Sequence, residues 1–314
     1  MSACHPVNAL TVDVEDYFQV SAFAPRISRS EWSTRECRVE RNVDRLLELF
    51  ARHSARATFF TLGWVAERYP RLVRDIVAAG HELASHGYGH ERAHDQTPEA
   101  FQADVRLAKV ILEDLSGQEI KGYRAPSFSI GLRNPWAFDI LERTGHRYSS
   151  SVYPVRHDHY GMPDAPRFAH RVGGLVEIPP TTVRLGGRNW PASGGGYFRL
   201  LPYGVSRRLL RAVNQGEGRS AVFYMHPWEI DPGQPRVDGI ALKSRFRHYV
   251  NIGRTESRLA RLLQDFSWGR MDEVFATELA SPQGLDAMRY DAMAPADDEA
   301  LTPQQARPCC PVAN

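Results

Sequence analysis

Ala57-Thr-Phe-Phe-Thr-Leu62, the run Trp64 to Ala79, Gly80, and His81-Glu-Leu-Ala-Ser85 form the stretch that decides the architecture. The first piece is short and rich in β-branched and aromatic residues, which predicts a buried strand. The second reads as one helix ended by Gly80, because glycine takes the left-handed conformation a helix C-terminus favours. The third is another strand. Strand, helix and strand of these lengths make a βαβ unit, whose two strands lie parallel.

The pattern extends both ways. Upstream, Ala9-Leu-Thr-Val-Asp-Val-Glu15 alternates apolar and polar residues and runs into carboxylates, and Asn42 to Arg52 places Val43, Leu46, Leu47, Leu49 and Phe50 at helical spacing. Downstream, Pro98 to Leu115 predicts a helix with proline in its first turn, Ile120 to Arg124 a strand, Pro135 to Thr144 a helix and His146 to Ser150 a strand. Ala221 to Met225 predicts a strand, Leu242 to Phe266 a mostly helical stretch, and Met271 to Ala276 a last strand. This alternation implies an α/β fold with a mainly parallel sheet or barrel. Between about Val155 and Tyr203 the chain is rich in Gly and Pro, including Gly194-Gly195-Gly196, and predicts long loops with short inserted strands. From Ser281 the periodicity is lost, which predicts a disordered tail over 281–314.

The chain has 314 residues, 42% hydrophobic and 24% charged, the composition of an ordinary globular protein. A chain of this length buries about three quarters of its unfolded surface and needs no disulfides. Its 39 Lys and Arg against 37 Asp and Glu leave a formal charge of +2, so no basic footprint for nucleic acid exists. The cysteines, Cys4, Cys37, Cys309 and Cys310, show no C-x-x-C spacing, which points away from a disulfide framework or a cysteine zinc site. Neither a secretory leader nor a run of 18 apolar residues is found, so the expected location is cytoplasmic with no membrane span.

Ligands of parallel α/β folds bind at the carboxyl ends of strands, and four polar groups sit there. Asp13-Val-Glu15-Asp16 places three carboxylates in four residues, which repel unless a cation shares the site. Ser85-His86-Gly-Tyr-Gly-His90 spaces two histidines four apart on a glycine-bearing loop able to wrap an ion. Tyr123-Arg124-Ala-Pro126-Ser-Phe128 puts an arginine at a strand end, where it can hold a carboxylate. Met225-His226-Pro-Trp-Glu229 follows an apolar strand with a histidine. Each alone has a plainer reading: a solvated edge, a common His spacing, a surface ion pair or a loop histidine. Together they supply a two-histidine, one-carboxylate metal site, a base, an orienting arginine and an acid, the parts of metal-assisted hydrolysis.

In this order the motifs resemble the polysaccharide deacetylases of the NodB-homology group, carbohydrate esterase family 4, over roughly residues 9–230. Val12-Asp-Val-Glu-Asp-Tyr17, Ser193-Gly-Gly-Gly-Tyr-Phe-Arg199 and His226-Pro-Trp-Glu-Ile-Asp231 resemble a narrower branch, associated with exosortase-linked exopolysaccharide loci of Gram-negative bacteria. The resemblance implies a distorted (β/α)7-type barrel with long loops. Its deacetylase domain would span 1–230, a C-terminal extension packed on the same barrel 231–280, and the tail 281–314. It implies a divalent metal, most often Zn2+, with Co2+ or Ni2+ as alternatives. Carried over by position, Asp13 matches the base, His86 and His90 metal ligands, Arg124 the residue orienting the base, and His226 the acid. Ser127 and Phe128 fall where a backbone N–H would stabilise the oxyanion. The implied reaction removes N-acetyl groups from N-acetylhexosamines of a polysaccharide or oligosaccharide, by water activated at the metal.

Two departures stand out. Val14 follows Asp13 where most members carry a second aspartate, so the carboxylate ligand is Glu15 or Asp16. Side-chain alternation favours Glu15 and an early strand end favours Asp16. Ser149 stands where an acidic residue often supports the acid. Two other functions compete. One is a metal-independent, allantoinase-like amidohydrolase, which the retained His86 and His90 argue against. The other is a non-catalytic carbohydrate-binding protein using Trp190, Tyr197 or Trp228.

Overall fold

The computed structural model describes residues 6–157, 161–290 and 292. Eleven strands are present among them: β1 (Asn8–Val14), β2 (Thr58–Thr61), β3 (Glu82–Ser85), β4 (Gly122–Tyr123), β5 (Tyr148–Ser149), β6 (His170–Val172), β7 (Leu175–Glu177), β8 (Thr182–Leu185), β9 (Arg188–Pro191), β10 (Val222–Met225) and β11 (Trp268–Gly269). The main sheet runs β10-β1-β2-β3-β4-β5-β7-β6, with β11 pairing the start of β1. Every neighbouring pair from β10 to β7 is parallel and only the β6–β7 edge is antiparallel. β8 and β9 form a separate hairpin.

The sheet curls because its two faces bury different side chains. Leu10, Val12 and Val14 of β1 point outward into a core built with Val43, Leu46 and Phe50 and with Leu259 and Leu262. The alternate residues Ala9, Thr11 and Asp13 point inward, and Ala9 joins Phe60, Ala84, Tyr148, Val176 and Val222 in an inner core. The far side of the curl comes back to β10 beyond β7, where Thr181 donates its N–H to the Val222 carbonyl at 3.2 Å and accepts the Val222 N–H at 2.6 Å. The result is the expected α/β distorted barrel, curled rather than closed by a full ladder.

The helices are α1 (Val39–Arg52), α2 (Gly63–Arg68), α3 (Pro70–Ala78), α4 (Pro98–Ser116), α5 (Trp136–Arg143), α6 (Gly195–Leu200), α7 (Tyr203–Arg211), α8 (Leu242–Tyr249), α9 (Thr255–Asp265), α10 (Met271–Val274) and α11 (Ala276–Ala280). Thr97 caps α4 by accepting the Ala100 N–H, with Pro98 at its first position, and Gly117 ends it in the left-handed conformation at φ +66°.

Four expectations change. The helix expected over Trp64 to Ala79 is two, broken at Tyr69 (φ −128°, ψ 65°), because Pro70 bars the preceding residue from continuing a helix. The helical stretch Leu242 to Phe266 is also two helices, interrupted where Asn251 turns left-handed at φ 52°. Met271 to Val274 is helical, and the last strand is instead the two-residue β11. Finally, Ser281–Tyr290, expected as tail, is largely exposed but anchored at a few points. Met288 donates its N–H to Arg171, and Tyr290 is buried, stacked on Phe138 at 5.3 Å between ring centres. The remainder of that expected tail, apart from residue 292, lies outside the described residues. Among the described residues, no helix is long and apolar enough to cross a membrane.

Candidate active site

The carboxyl ends of β1, β3, β4 and β10 meet at one mouth of the barrel, and each delivers a polar group the sequence had marked. Asp13 is the last inward-facing residue of β1. Arg124, just after β4, donates from Nη1 to Asp13 Oδ1 at 2.6 Å and to Thr11 Oγ1 at 2.8 Å. Its other donors bind the Ser150 carbonyl and hydroxyl at 3.2 and 2.9 Å. The guanidinium is wholly buried, 4.1 Å above the Phe60 ring centre, so its charge is held by one carboxylate, fixed dipoles and a π face. This is a rigid carrier for Asp13.

Glu15, His86 and His90 form the second group, with one ligand atom from each lying within 4.8 Å of the others. His86 Nδ1 is 2.8 Å from the Arg124 carbonyl. A carbonyl only accepts, so Nδ1 carries the proton and Nε2 offers its lone pair. Burial lowers the His86 pKa to about 4, which keeps the ring neutral near pH 7. His90 turns inward from a left-handed residue (φ 53°), and its Nε2 lies 2.6 Å from Glu15 Oε2. That oxygen is buried yet receives no aligned hydrogen bond. A carboxylate oxygen and an imidazole nitrogen held this close, beside a second imidazole, make a donor set that could hold a divalent cation. Glu15 Oε1 accepts the Trp228 indole N–H at 3.2 Å. Burial alone would raise the Glu15 pKa, but the charges of His90 and His226 hold it far below the usual range.

The loop bearing His90 is held by Asp104 of α4, which accepts the N–H groups of Tyr88 and Gly89 at 2.8 and 3.1 Å. Arg29 lies against Gly89 so closely that a Cβ there would stand 1.4 Å from its Nη2.

Glu15 and Asp16 lie in different surroundings. Asp16 does not face the histidines: its Oδ1 accepts the Tyr17 N–H at 2.8 Å, and its Oδ2 the N–H groups of Arg38 and Val39 at 2.5 and 2.9 Å. It ties the loop after β1 to the start of α1. Its burial raises the pKa to about 6 despite those bonds. Glu15 keeps Asp13's side of the chain one residue past the strand.

His226 follows β10, with Nε2 at 3.9 Å from Asp13 Oδ2 and 3.6 Å from Glu15 Oε1. Its Nδ1 is 2.8 Å from Glu229 Oε1, and Arg199 Nε donates to Glu229 Oε2 at 2.6 Å. Burial works against the charged imidazole, but Glu15, then Glu229 and Asp13, raise its pKa to about 9. Burial likewise opposes ionised Glu229, and Arg199 foremost lowers it to about 2. Sequence reasoning missed Glu229, Arg199 and Asp104 as supports. The first two stood inside quoted motifs, whereas no local signal marked Asp104.

Ser127 and Phe128 both adopt left-handed backbone, at φ 56° and 49°, a strained pair of the kind found at functional sites. Phe128 donates its N–H to the Ala125 carbonyl at 3.0 Å, which removes it as an oxyanion donor. Ser127 Oγ pairs with Ser21 Oγ at 2.7 Å. Ser149 is turned from the mouth, bonding Ser151 Oγ at 2.8 Å. Trp228 is buried and stacked on His226 at 5.1 Å, so it offers no exposed sugar platform, whereas Trp190 of β9 is exposed.

Residues 32–149 match the family model described as polysaccharide deacetylase, and residues 150–276 match a domain of unknown function, DUF3473. The chain is 34% identical over 115 residues to a peptidoglycan deacetylase of Helicobacter pylori, covering 36% of this chain and 38% of that one. It is 32% identical over 109 residues to a chitooligosaccharide deacetylase of Azorhizobium caulinodans, covering 34% and 50%. The matches thus span half or less of these relatives' lengths. A solved Mycobacterium smegmatis protein assigned as a polysaccharide deacetylase shares the fold, with a TM-score of 0.58 at 21% identity, covering 91% of this chain and 93% of that one. Residues 32–149 therefore belong to a polysaccharide deacetylase domain of the NodB, carbohydrate esterase family 4 type.

Proposed function

We propose that the chain is a metal-dependent hydrolase that removes N-acetyl groups from the amino sugars of a polysaccharide, an exopolysaccharide or its precursor being the favoured substrate. The observation that carries this reading is that Asp13, anchored by Arg124, and His226 Nε2 come within 3.9 Å of each other beside the Glu15–His86–His90 donor set. Deacetylation needs a base, an electrophile and an acid around one acetyl group.

Glu15, His86 and His90 would hold the divalent ion, zinc being favoured, and when bound it supplies Lewis acidity toward the acetyl carbonyl. Asp13 takes a proton from the attacking water, and Arg124 keeps its carboxylate aimed. The Ser127 N–H is the backbone donor assigned here to the developing oxyanion. His226 gives a proton from Nε2 to the departing amine as the C–N bond breaks, leaving acetate and a free amino sugar. In this reading the deacetylase unit extends to about residue 230, with 231–280 packed on the same barrel.

The test is acetate release from fully N-acetylated chitooligosaccharides by the zinc-loaded chain, compared with the same chain after chelation. Release that is lost on chelation and restored by zinc supports the reading. Chelator-resistant release would favour the metal-independent amidohydrolase instead.

A further inference from the structure

The segment matched only as a domain of unknown function, 150–276, contains His226, Glu229 and Arg199 together. Both oxygens of Glu229 are committed. Oε1 accepts from His226 twice, at the backbone N–H (3.1 Å) and at Nδ1 (2.8 Å), and Oε2 accepts from Arg199 Nε at 2.6 Å. Arg199 is itself fixed, donating from Nη1 to the carbonyls of His248 and Val250 at 2.6 and 3.1 Å, with its guanidinium 5.3 Å from the Trp228 ring centre. Glu229 and Arg199 are 0% and 2% exposed, so water competes for neither.

The glycines of Ser193–Arg199 make this contact possible. A Cβ on Gly195 would stand 2.0 Å from both Glu229 oxygens, and one on Gly194, at φ +97°, 2.5 Å from the Tyr224 ring. Gly196 has nothing within 4 Å. Two of the three glycines are therefore fitted to the carboxylate and the ring beside the histidine.

A carboxylate on Nδ1 fixes the imidazole as the tautomer that places its other nitrogen toward the mouth. Trp228 closes the ring's face, near-parallel at 17°. Ser149, the position where the fold resemblance placed an acidic support, faces Ser151 instead. We infer that Glu229, anchored by Arg199, is the positioning residue that aims His226 at the leaving group, and that this clamp is what segment 150–276 contributes to the deacetylase domain. The inference rests on the deacetylase reading of the site.

The test uses zinc-loaded full chain and two substrates that differ in their demand for an acid. Penta-N-acetylchitopentaose expels an amine that must be protonated, whereas 4-nitrophenyl acetate expels a phenolate that leaves unaided. Glu229→Gln, isosteric and able to keep the fold, lowers kcat on the chitopentaose by about 100-fold with KM little changed. Its turnover of the aryl acetate stays within about threefold of wild type, and its zinc content is unchanged. Arg199→Gln shows the same split at smaller amplitude and serves if Glu229→Gln is unstable. Equal losses on both substrates, or undiminished chitopentaose turnover by both variants, would overturn the inference. A wild-type chain that cleaves neither substrate refutes the deacetylase reading instead.

Discussion

Glu15→Gln and Asp16→Ala are expected to fail in opposite ways. Glu15 lends its oxygens to the His90 side of the site and to Trp228, so the amide weakens zinc binding by at least about tenfold, measured by chelator competition. Asp16 accepts three buried backbone N–H groups and touches neither histidine, so Asp16→Ala leaves zinc content intact. It costs about 1–3 kcal/mol of unfolding free energy, read from urea titration. The reverse pattern would exchange their roles. The sequence narrowed the ligand to these two neighbours because both follow Asp13, but strand alternation alone does not locate the end of β1. The structure ends it at Val14, with the Glu15 N–H turned back to the Asp13 carbonyl at 3.0 Å.

Elements follow the same division between local pattern and tertiary demand. The parallel strands were legible where four or more residues carried a β-prone run, as in Thr58–Thr61 and Val222–Met225. Trp268–Gly269 was not, since two residues have no period, and the strand exists because β1 offers an edge beside Asn8 and Ala9. Met271–Val274, expected to open a last strand, is helical instead, with Met271 buried and its N–H donated to Thr58 Oγ1 at 2.8 Å. The clamp was half-visible, since the Gly-rich run and His226–Glu229 were both noticeable while their contact spans about 30 residues of chain. The run makes a paired prediction. Gly195→Ala drives a methyl into Glu229 and costs about 1–3 kcal/mol, whereas Gly196→Ala changes unfolding free energy by less than about 0.5 kcal/mol. Thermal unfolding of both variants checks this, and equal behaviour would contradict the packing described.

For the molecule as a whole, the barrel was readable because its βαβ pattern recurs, and the site because its groups cluster at strand ends. The anchoring of Ser281–Tyr290 was not, since its anchors, Arg171 and Phe138, are distant in sequence. Buried histidines tie global stability to pH. His146, away from the mouth beside Tyr123, has its pKa lowered to about 3, by burial first and then Lys109. Unfolded His146 takes a proton below pH 6.5, while the folded chain resists until about pH 3. Its share of stability is therefore complete above pH 6.5 and lost as pH falls. Between pH 6.5 and 5 that loss is about 2 kcal/mol. Urea titrations at both pH values should show His146→Gln losing less than wild type by roughly that amount, and parallel losses would contradict a neutral buried His146.

The central claim, that Asp13 is the base beside a divalent ion held by Glu15, His86 and His90, meets its most direct test in one comparison. Acetate release from N-acetylated chitooligosaccharide is measured for wild type and Asp13→Asn, each loaded with zinc to the same content. The account predicts release by wild type and a fall of at least about 100-fold in the variant. Undiminished release by Asp13→Asn, or none from the loaded wild type, would contradict it.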